Sequence, residues 1–369
     1  MKKWSKYGLW GLCLLLLVTC QQVVDLDAPI QGGQLVVFGR ISNSTQGNYV
    51  SVHRTSYSGQ EPDPVVNARV FVTGSAGFEE ELIMGDSGIY ELRRNDITGT
   101  VGEEYTLRVT MGTMEYTTAP QKILPMVGTD SISWELDVFE TITSAGELIR
   151  EDVVNVFVST RFDELPESFY LRWDTEEAYT YLGTYLPANW FPPGAPPPQC
   201  YVVNELNEQE VFLHNGAVNR ASYIPPQHLI TRRVDKTFQA KHYFNFIKSS
   251  ISQETYTYWS RLDGVVNRQG SIFDVPPAAV EGNIISNTGE TVLGYFEAVS
   301  IDTSRVFLTH NDVPIWAFDE CVKKGDGLAE MYTVPMGCRQ CLIDRGIVEP
   351  HCFNCNVLRG SSYTRPSYF

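Results

Sequence analysis

Basic residues are scarce in this sequence: 28 Lys and Arg stand against 44 Asp and Glu, for a net charge of −16. So acidic a surface repels phosphate backbones, and no stretch gathers Lys and Arg into a stripe, which excludes nucleic acid as a partner. The same shortage excludes lying flat on anionic lipid. Histidine is sparse and scattered, at positions 53, 214, 228, 242, 310 and 351, with no HExxH pair to hold a catalytic zinc. There is no Gly-x-Ser-x-Gly elbow and no glycine-rich phosphate loop. Asp302 and Asp312 lie near His310, but no Ser or Cys stands beside them in a nucleophile setting. Glu79-Glu80-Glu81, Glu103-Glu104 and Glu176-Glu177 are adjacent carboxylates. On strands such neighbours point to opposite faces, which makes them poor acid–base pairs and better solvated charge. The expectation is a protein that is not an enzyme and holds neither cofactor nor metal.

Long apolar runs are also missing past the first twenty residues, so no span is expected there. The start is different. Lys2, Lys3 and Lys6 precede an apolar run from Leu9 to Val18. At roughly ten residues it is too short for a span and suits a signal-peptide core. Leu17-Val18-Thr19-Cys20 resembles a bacterial lipobox, with Thr19 where Gly, Ala or Ser is usual. Residues 1–20 therefore read as a lipoprotein signal peptide, with Cys20 lipidated and the protein held to its membrane by acyl chains. An ordinary secretory peptide, with Cys20 incidental, is the alternative. Loss of the three lysines takes the net charge from −16 to −19. Residues 21–34, with Pro29, Gly32 and Gly33, read as a tether.

Aromatics reach 12 %, with 19 Tyr, and Val and Thr abound, which biases the chain toward strands. From 35 to 125, short runs separated by turn residues suggest a β-sandwich domain. The runs include Leu35 to Ile41, Tyr49 to Arg54, Val65 to Val72, Ile89 to Leu92, Tyr105 to Thr110 and Met114 to Thr118. Pro64-Val65-Val66-Asn67-Ala68-Arg69-Val70, then Gly88-Ile89-Tyr90, then Gly102 to Leu107 resemble a transthyretin-like or Ig-like sandwich. Residues 126–369 read as a larger β-rich domain with one helix. Strands are expected at 131–139, 152–162 and 168–174, the last placing Tyr170 and Arg172 on one face. Val234 to Ile247 reads as a long aromatic strand. Ser252 to Arg268 is the helix, capped by Ser252, with Tyr258, Trp259, Leu262, Val265 and Val266 as a core-facing stripe. Strand and turn return at 273–277, 292–299 and 305–308.

Two stretches invite a functional reading. Tyr179, Tyr181, Tyr185, Trp190 and Phe191 lead into a run of prolines ending at Pro198. Polyproline cannot join a sheet interior, so this is a stiff extended loop. Tyr and Trp are over-represented at binding hot spots, and a pre-stiffened loop costs less to order. The alternative is that Tyr181, Trp190 and Phe191 fold back to cover a sheet edge. The second stretch is the tail. Cys338-x2-Cys341 and Cys352-x2-Cys355 have zinc-knuckle spacing, and His351 keeps zinc in play. An exported protein sits where disulfides form, and Cys200, Cys321, Cys338, Cys341, Cys352 and Cys355 make an even set, which favours disulfides stapling the tail.

Gly270 to Pro277, Gly282-Asn283-Ile284 and Gly294-Tyr295-Phe296 resemble the core of a Bacteroidota lipoprotein family catalogued as domain of unknown function 4249. The ending Arg365-Pro366-Ser367-Tyr368-Phe369 is similar to that family's finish, with Phe369 where Trp is usual. Membership implies an outer-membrane lipoprotein that is accessory to a TonB-dependent receptor and acts by substrate capture or as a cover of the transporter, with the ligand unknown. The cell surface is favoured over the periplasmic face. A structural or assembly subunit of an outer-membrane complex is the rival expectation.

Overall fold

A computed structural model describes residues 33–56, 60–85, 87–92, 98–143, 145–182, 199–206, 211–266, 280–314, 333–335 and 338–369. The fold is mainly β. In the first part, β1 (Leu35–Ser42) and β2 (Tyr49–Arg54) pair antiparallel, and the short β3 (Asp63–Pro64) adds to β2. Then come β4 (Arg69–Gly74), β5 (Glu79–Met84), β6 (Ile89–Glu91), β7 (Glu104–Met111), β8 (Met114–Thr118) and β9 (Gln121–Lys122). β5 pairs with both β4 and β6, so the sheet turns a corner there. Leu35, Val37, Val50 and Val52 from one layer meet Val70, Leu107, Val109 and Tyr116 from the other in one buried cluster. That is the sandwich read from the sequence.

One strand starts later than its pattern suggests. Residues 65–68 were expected to continue into β4, but Val66 is exposed and the strand begins at Arg69. The Tyr90 hydroxyl accepts from Ala68 N and donates to Val65 O, so a side chain satisfies the backbone of the crossing segment.

The second part is a second pair of layers. β10 (Thr129–Ile142), β11 (Leu148–Arg161) and β15 (Tyr223–Arg233) form a three-stranded sheet. Opposite it lie β12 (Tyr170–Leu182), β13 (Gln199–Glu205), β14 (Phe212–Asn215) and β16 (His242–Ile251). Val154, Val156 and Ile230 meet Leu171, Trp173, Phe244 and Phe246 between the layers. The aromatic run expected as one strand from Val234 is divided. Asp235 accepts from Thr237 N and caps a 3-10 turn over Lys236–Gln239, burying Phe238, and β16 starts only at His242.

Helix α1 (Gln253–Val266) follows, with Ser252 Oγ accepting from Thr255 N at 3.1 Å as the cap. β17 (Ile284–Ser286) then pairs with β8, and β18 (Phe296–Leu308) divides its length between the two parts. Phe296 to Val299 run parallel to Gly39 to Ser42, while Ser300 to Leu308 run antiparallel to β16. Strands from far along the chain thus complete the sandwich of residues 35–125, and β18 joins sixteen of the described strands into one sheet.

β18 starts at Phe296, not at 292, and the family-like residues explain it. Gly294 has φ +96°, and a Cβ there would lie 2.1 Å from Val37 O. A Cβ on Gly282 would lie 1.6 Å from Gly294 O. The Asn283 side chain donates to Phe296 O at 2.7 Å and accepts from Phe296 N at 2.9 Å. The motif is a backbone clamp that sets the register of β18.

The tail carries α2 (Arg339–Asp344) and β19 (Ser361–Ser362), which pairs with β13. Disulfides join Cys200 to Cys355 and Cys338 to Cys341, and Cys352 is also disulfide-bonded. Oxidised sulfurs are not zinc ligands, so the tail is stapled and the knuckle reading falls. Cys321 lies outside the described residues.

Candidate functional site

A cleft of about 950 Å³ opens between the two parts. One wall comes from β1, β2, β6 and the loop before β2; the other comes from β12, β13, α1 and the start of β18. Alternation along β12 decides what faces the cleft. Leu171 and Trp173 enter the second core, so Arg172, Asp174 and Glu176 line the cleft, on the face that the sequence assigned to Tyr170 and Arg172.

Arg172 and Glu297 form the buried side of the cleft, with side chains 4 % and 6 % exposed. The guanidinium donates to both carboxylate oxygens of Glu297 at 2.8 Å and to Asp174 at 3.1 Å. Its Cζ lies 4.4 Å from the centroid of the Trp259 ring, and Trp259 Nε1 donates to Glu297 at 3.1 Å. Burial pulls the guanidinium down, but Asp174 and Glu297 outweigh it and hold the group charged well above its ordinary value. Arg40 reaches Asp174 at 3.4 Å and donates to Gly47 O at 3.0 Å. Gly47, at φ +75°, has room for this contact only without a side chain, since a Cβ would lie 2.6 Å from the guanidinium. Both arginines are therefore committed to partners.

Aromatic rings supply the apolar lining. Phe38 stacks on Trp259 with centroids 6.5 Å apart, and Tyr49 lies alongside, 36 % exposed. Tyr258 points into the protein, stacked on Tyr295. The helix stripe read as core therefore divides: Tyr258 is core, whereas Trp259 is half-buried and faces the cleft.

The carboxylates of Glu176 and Glu205 also line the cleft, directly opposite each other on β12 and β13. Burial pushes the Glu176 carboxyl up, a hydrogen bond from Asn245 pulls it down, and Glu205 adds to the upward push. Glu177, one residue on, faces the other way, as adjacent strand residues must. It accepts from Arg232 at 2.6 Å and sits 3.2 Å from His242. Burial raises its carboxyl, yet His242 and Arg232 outweigh that and hold it at about 2.

Thr237, His242 and Glu177 have the outline of a relay, with 2.9 Å and 3.2 Å between members. His242 is wholly buried and Thr237 donates to Asp235 at 2.6 Å, so the cluster is a packed polar network without access. Asp302, His310 and Asp312 do not assemble as a triad: a ring nitrogen of His310 meets Gln239 O, and Asp312 accepts from Thr309.

Of the expected binding-loop residues, Tyr179 and Tyr181 belong to β12, which runs to Leu182. Tyr179 stacks on His242, and burial pushes its phenol up to about 12. Tyr181 is buried, with its hydroxyl 3.8 Å from Cys352 Sγ and its ring edge on His351. Tyr181 therefore lacks the open face of a contact residue, whereas Tyr179 is half-buried. Tyr185, Trp190 and Phe191 lie outside the described residues, as does Cys20. The cleft itself was missed. Its one sequence signal was Arg172, a cation amid the apolar positions of a strand, which needs a buried carboxylate partner.

Residues 22–305 match the family model described as Domain of unknown function (DUF4249). The tail beyond 305, Cys-rich and ending in Tyr368-Phe369, lies outside the matched stretch. No curated protein matches the chain.

Proposed function

We propose that this chain, which belongs to the DUF4249 family, is a lipid-anchored outer-membrane protein that captures a ligand in its cleft and serves a TonB-dependent receptor in nutrient uptake. The observation that carries this reading is the cleft. Its volume suits a small molecule or short oligomer, and it combines aromatic faces with fixed polar groups, the usual make-up of a ligand site. The Arg172–Glu297 pair holds those groups in place before any ligand arrives, which lowers the cost of ordering on binding. The signal-peptide pattern ending in Cys20 supports the anchor, and energy for transport comes from the receptor. Screening peptides and oligosaccharides against the chain from residue 21 onward tests capture. A ligand whose affinity drops at least about tenfold in Trp259→Ala supports it; ligands indifferent to that substitution speak against it.

The hairpin of β10 and β11 favours a second reading, a structural subunit of an outer-membrane complex. Ile132 packs on the second core, and Trp134, Leu136 and Val138 continue that apolar face outward, with Val138 49 % exposed. β10 is the edge of its sheet. An apolar face on an open edge suits a protein partner.

A further inference from the structure

Resting on the subunit reading, we infer that β10 is an open edge that takes an added strand from a protein partner, and that this strand alternates apolar with basic residues. Sheet edges are normally blunted, because a row of unpaired N–H and C=O groups invites pairing. The strands that end the two described sheets differ on this point. β17 spans three residues and β19 two, while β15 carries Pro225, Pro226 and two shifts of register. β10 runs for 14 residues with no Pro, Gly, Lys or Arg. Its pairing with β11 is unbroken from Thr129–Arg161 to Ile142–Leu148.

The outer half of the hairpin lacks support. Among the described residues, β15 stops at Arg233, opposite Val153. The five pairs from Val138–Asp152 to Ile142–Leu148 therefore stand as a two-stranded ribbon. At about 3.4 Å per residue it projects roughly 17 Å. Every residue from Ser133 to Ile142 is exposed. A bare ribbon is marginal in water, yet this one places Ile142 opposite Leu148 at its tip, 71 % and 54 % exposed. A third strand supplies both the missing hydrogen bonds and the cover.

Alternation along β10 names the chemistry of that strand. Trp134, Leu136 and Val138 share one face, Glu135 and Asp137 the other. A strand laid beside β10 meets apolar side chains on the first face and carboxylates on the second, so apolar and basic residues in alternation complement it. From Glu135 to Asp152 the hairpin holds six acidic residues and one basic residue, Arg150, which Glu140 engages at 2.7 Å. Pairing β10 with the same strand of a second copy sets one acidic edge against another, which like charges oppose. The added strand therefore belongs to a different protein.

The test uses the chain from residue 21 onward and three blocked peptides: acetyl-Val-Lys-Val-Lys-Val-Lys-Val-amide, its counterpart with Glu for Lys, and the Lys peptide with its backbone amides methylated. Calorimetry is expected to show the Lys peptide binding at least about tenfold tighter than either of the others. On its addition, hydrogen exchange followed by NMR is expected to slow at alternate amides from Trp134 to Ile142, those that β11 leaves unpaired. Glu135→Lys combined with Asp137→Lys, both exposed, is expected to hold the thermal midpoint within a few degrees and to transfer the preference to the Glu peptide. Equal binding of the Lys peptide and its methylated form, no binding of the Lys peptide at millimolar concentration, or unchanged exchange along β10 overturns the inference. So does slow exchange at those amides before any peptide is added, because the edge is then already paired, whether within the chain or with a second copy. A membrane protein that stays bound to the lipidated chain while those amides remain open also overturns strand addition, yet it leaves the subunit reading standing.

Discussion

Arg172 and Glu297 are 125 residues apart and meet through two parallel hydrogen bonds of 2.8 Å, almost wholly out of water. The pair ties β12 to the start of β18, where that strand crosses from one part of the molecule to the other. Removing one partner leaves a buried charge uncompensated. Arg172→Ala is expected to cost roughly 3–5 kcal/mol, measured by urea unfolding at neutral pH. Arg172→Lys should remain well below wild type, because an ammonium cannot supply the guanidinium fork. Arg172→Met with Glu297→Leu should recover most of the loss. An Arg172→Ala protein as stable as wild type would mean that the pair does not join the two parts.

The Glu177 network makes the fold acid-sensitive. Its folded carboxyl, at about 2, lies below the ordinary 4.5, so its stabilisation is full above the unfolded value and drains as pH falls toward 2. Burial also lowers His242, which acts in the same direction, because the folded state must charge a buried ring as pH drops. Unfolding free energy measured from pH 7 to pH 3 should fall by roughly 2 kcal/mol from Glu177. Glu177→Gln should be less stable at neutral pH and show a flatter acid limb. A wild-type curve level across that range contradicts the assignment.

The disulfides should be complete in native protein. Thiol titration of the unfolded, unreduced chain is expected to find Cys200, Cys338, Cys341, Cys352 and Cys355 all blocked. Cys200→Ser with Cys355→Ser opens a loop of 155 residues and should cost about 2–5 kcal/mol. It should also expose the segment around β19 to protease. A full count of free thiols with stoichiometric zinc would restore the knuckle.

Period-2 patterns made much of the fold legible. β2 and β8 have the bounds that alternation sets, and Ser252 caps the helix as its position suggests. Long-range pairing was not legible. Nothing local announces that Phe296 to Val299 run beside β1, because that register is set by Asn283 and two close-packed glycines through tertiary contact. The cleft was hidden for the same reason: Arg172, Glu205, Trp259 and Glu297 are scattered along the chain and meet only through sheet register and one helix face. Trp259 read as core because its spacing matches Tyr258, and spacing cannot separate two neighbours on the rim of a helical stripe.

The anchor has its own test. Cys20→Ala should move the protein from the membrane fraction to the soluble fraction and stop labelling by radioactive palmitate. Label that enters the variant as well as wild type would remove Cys20 as the acylated residue.

The central claim is partnership with a TonB-dependent receptor, and the most direct measurement is what comes with the lipidated chain when it is drawn from outer membranes in mild detergent. A TonB-dependent receptor is expected to be recovered in comparable amount. Recovery of the chain alone, or with outer-membrane proteins that include no such receptor, would contradict it.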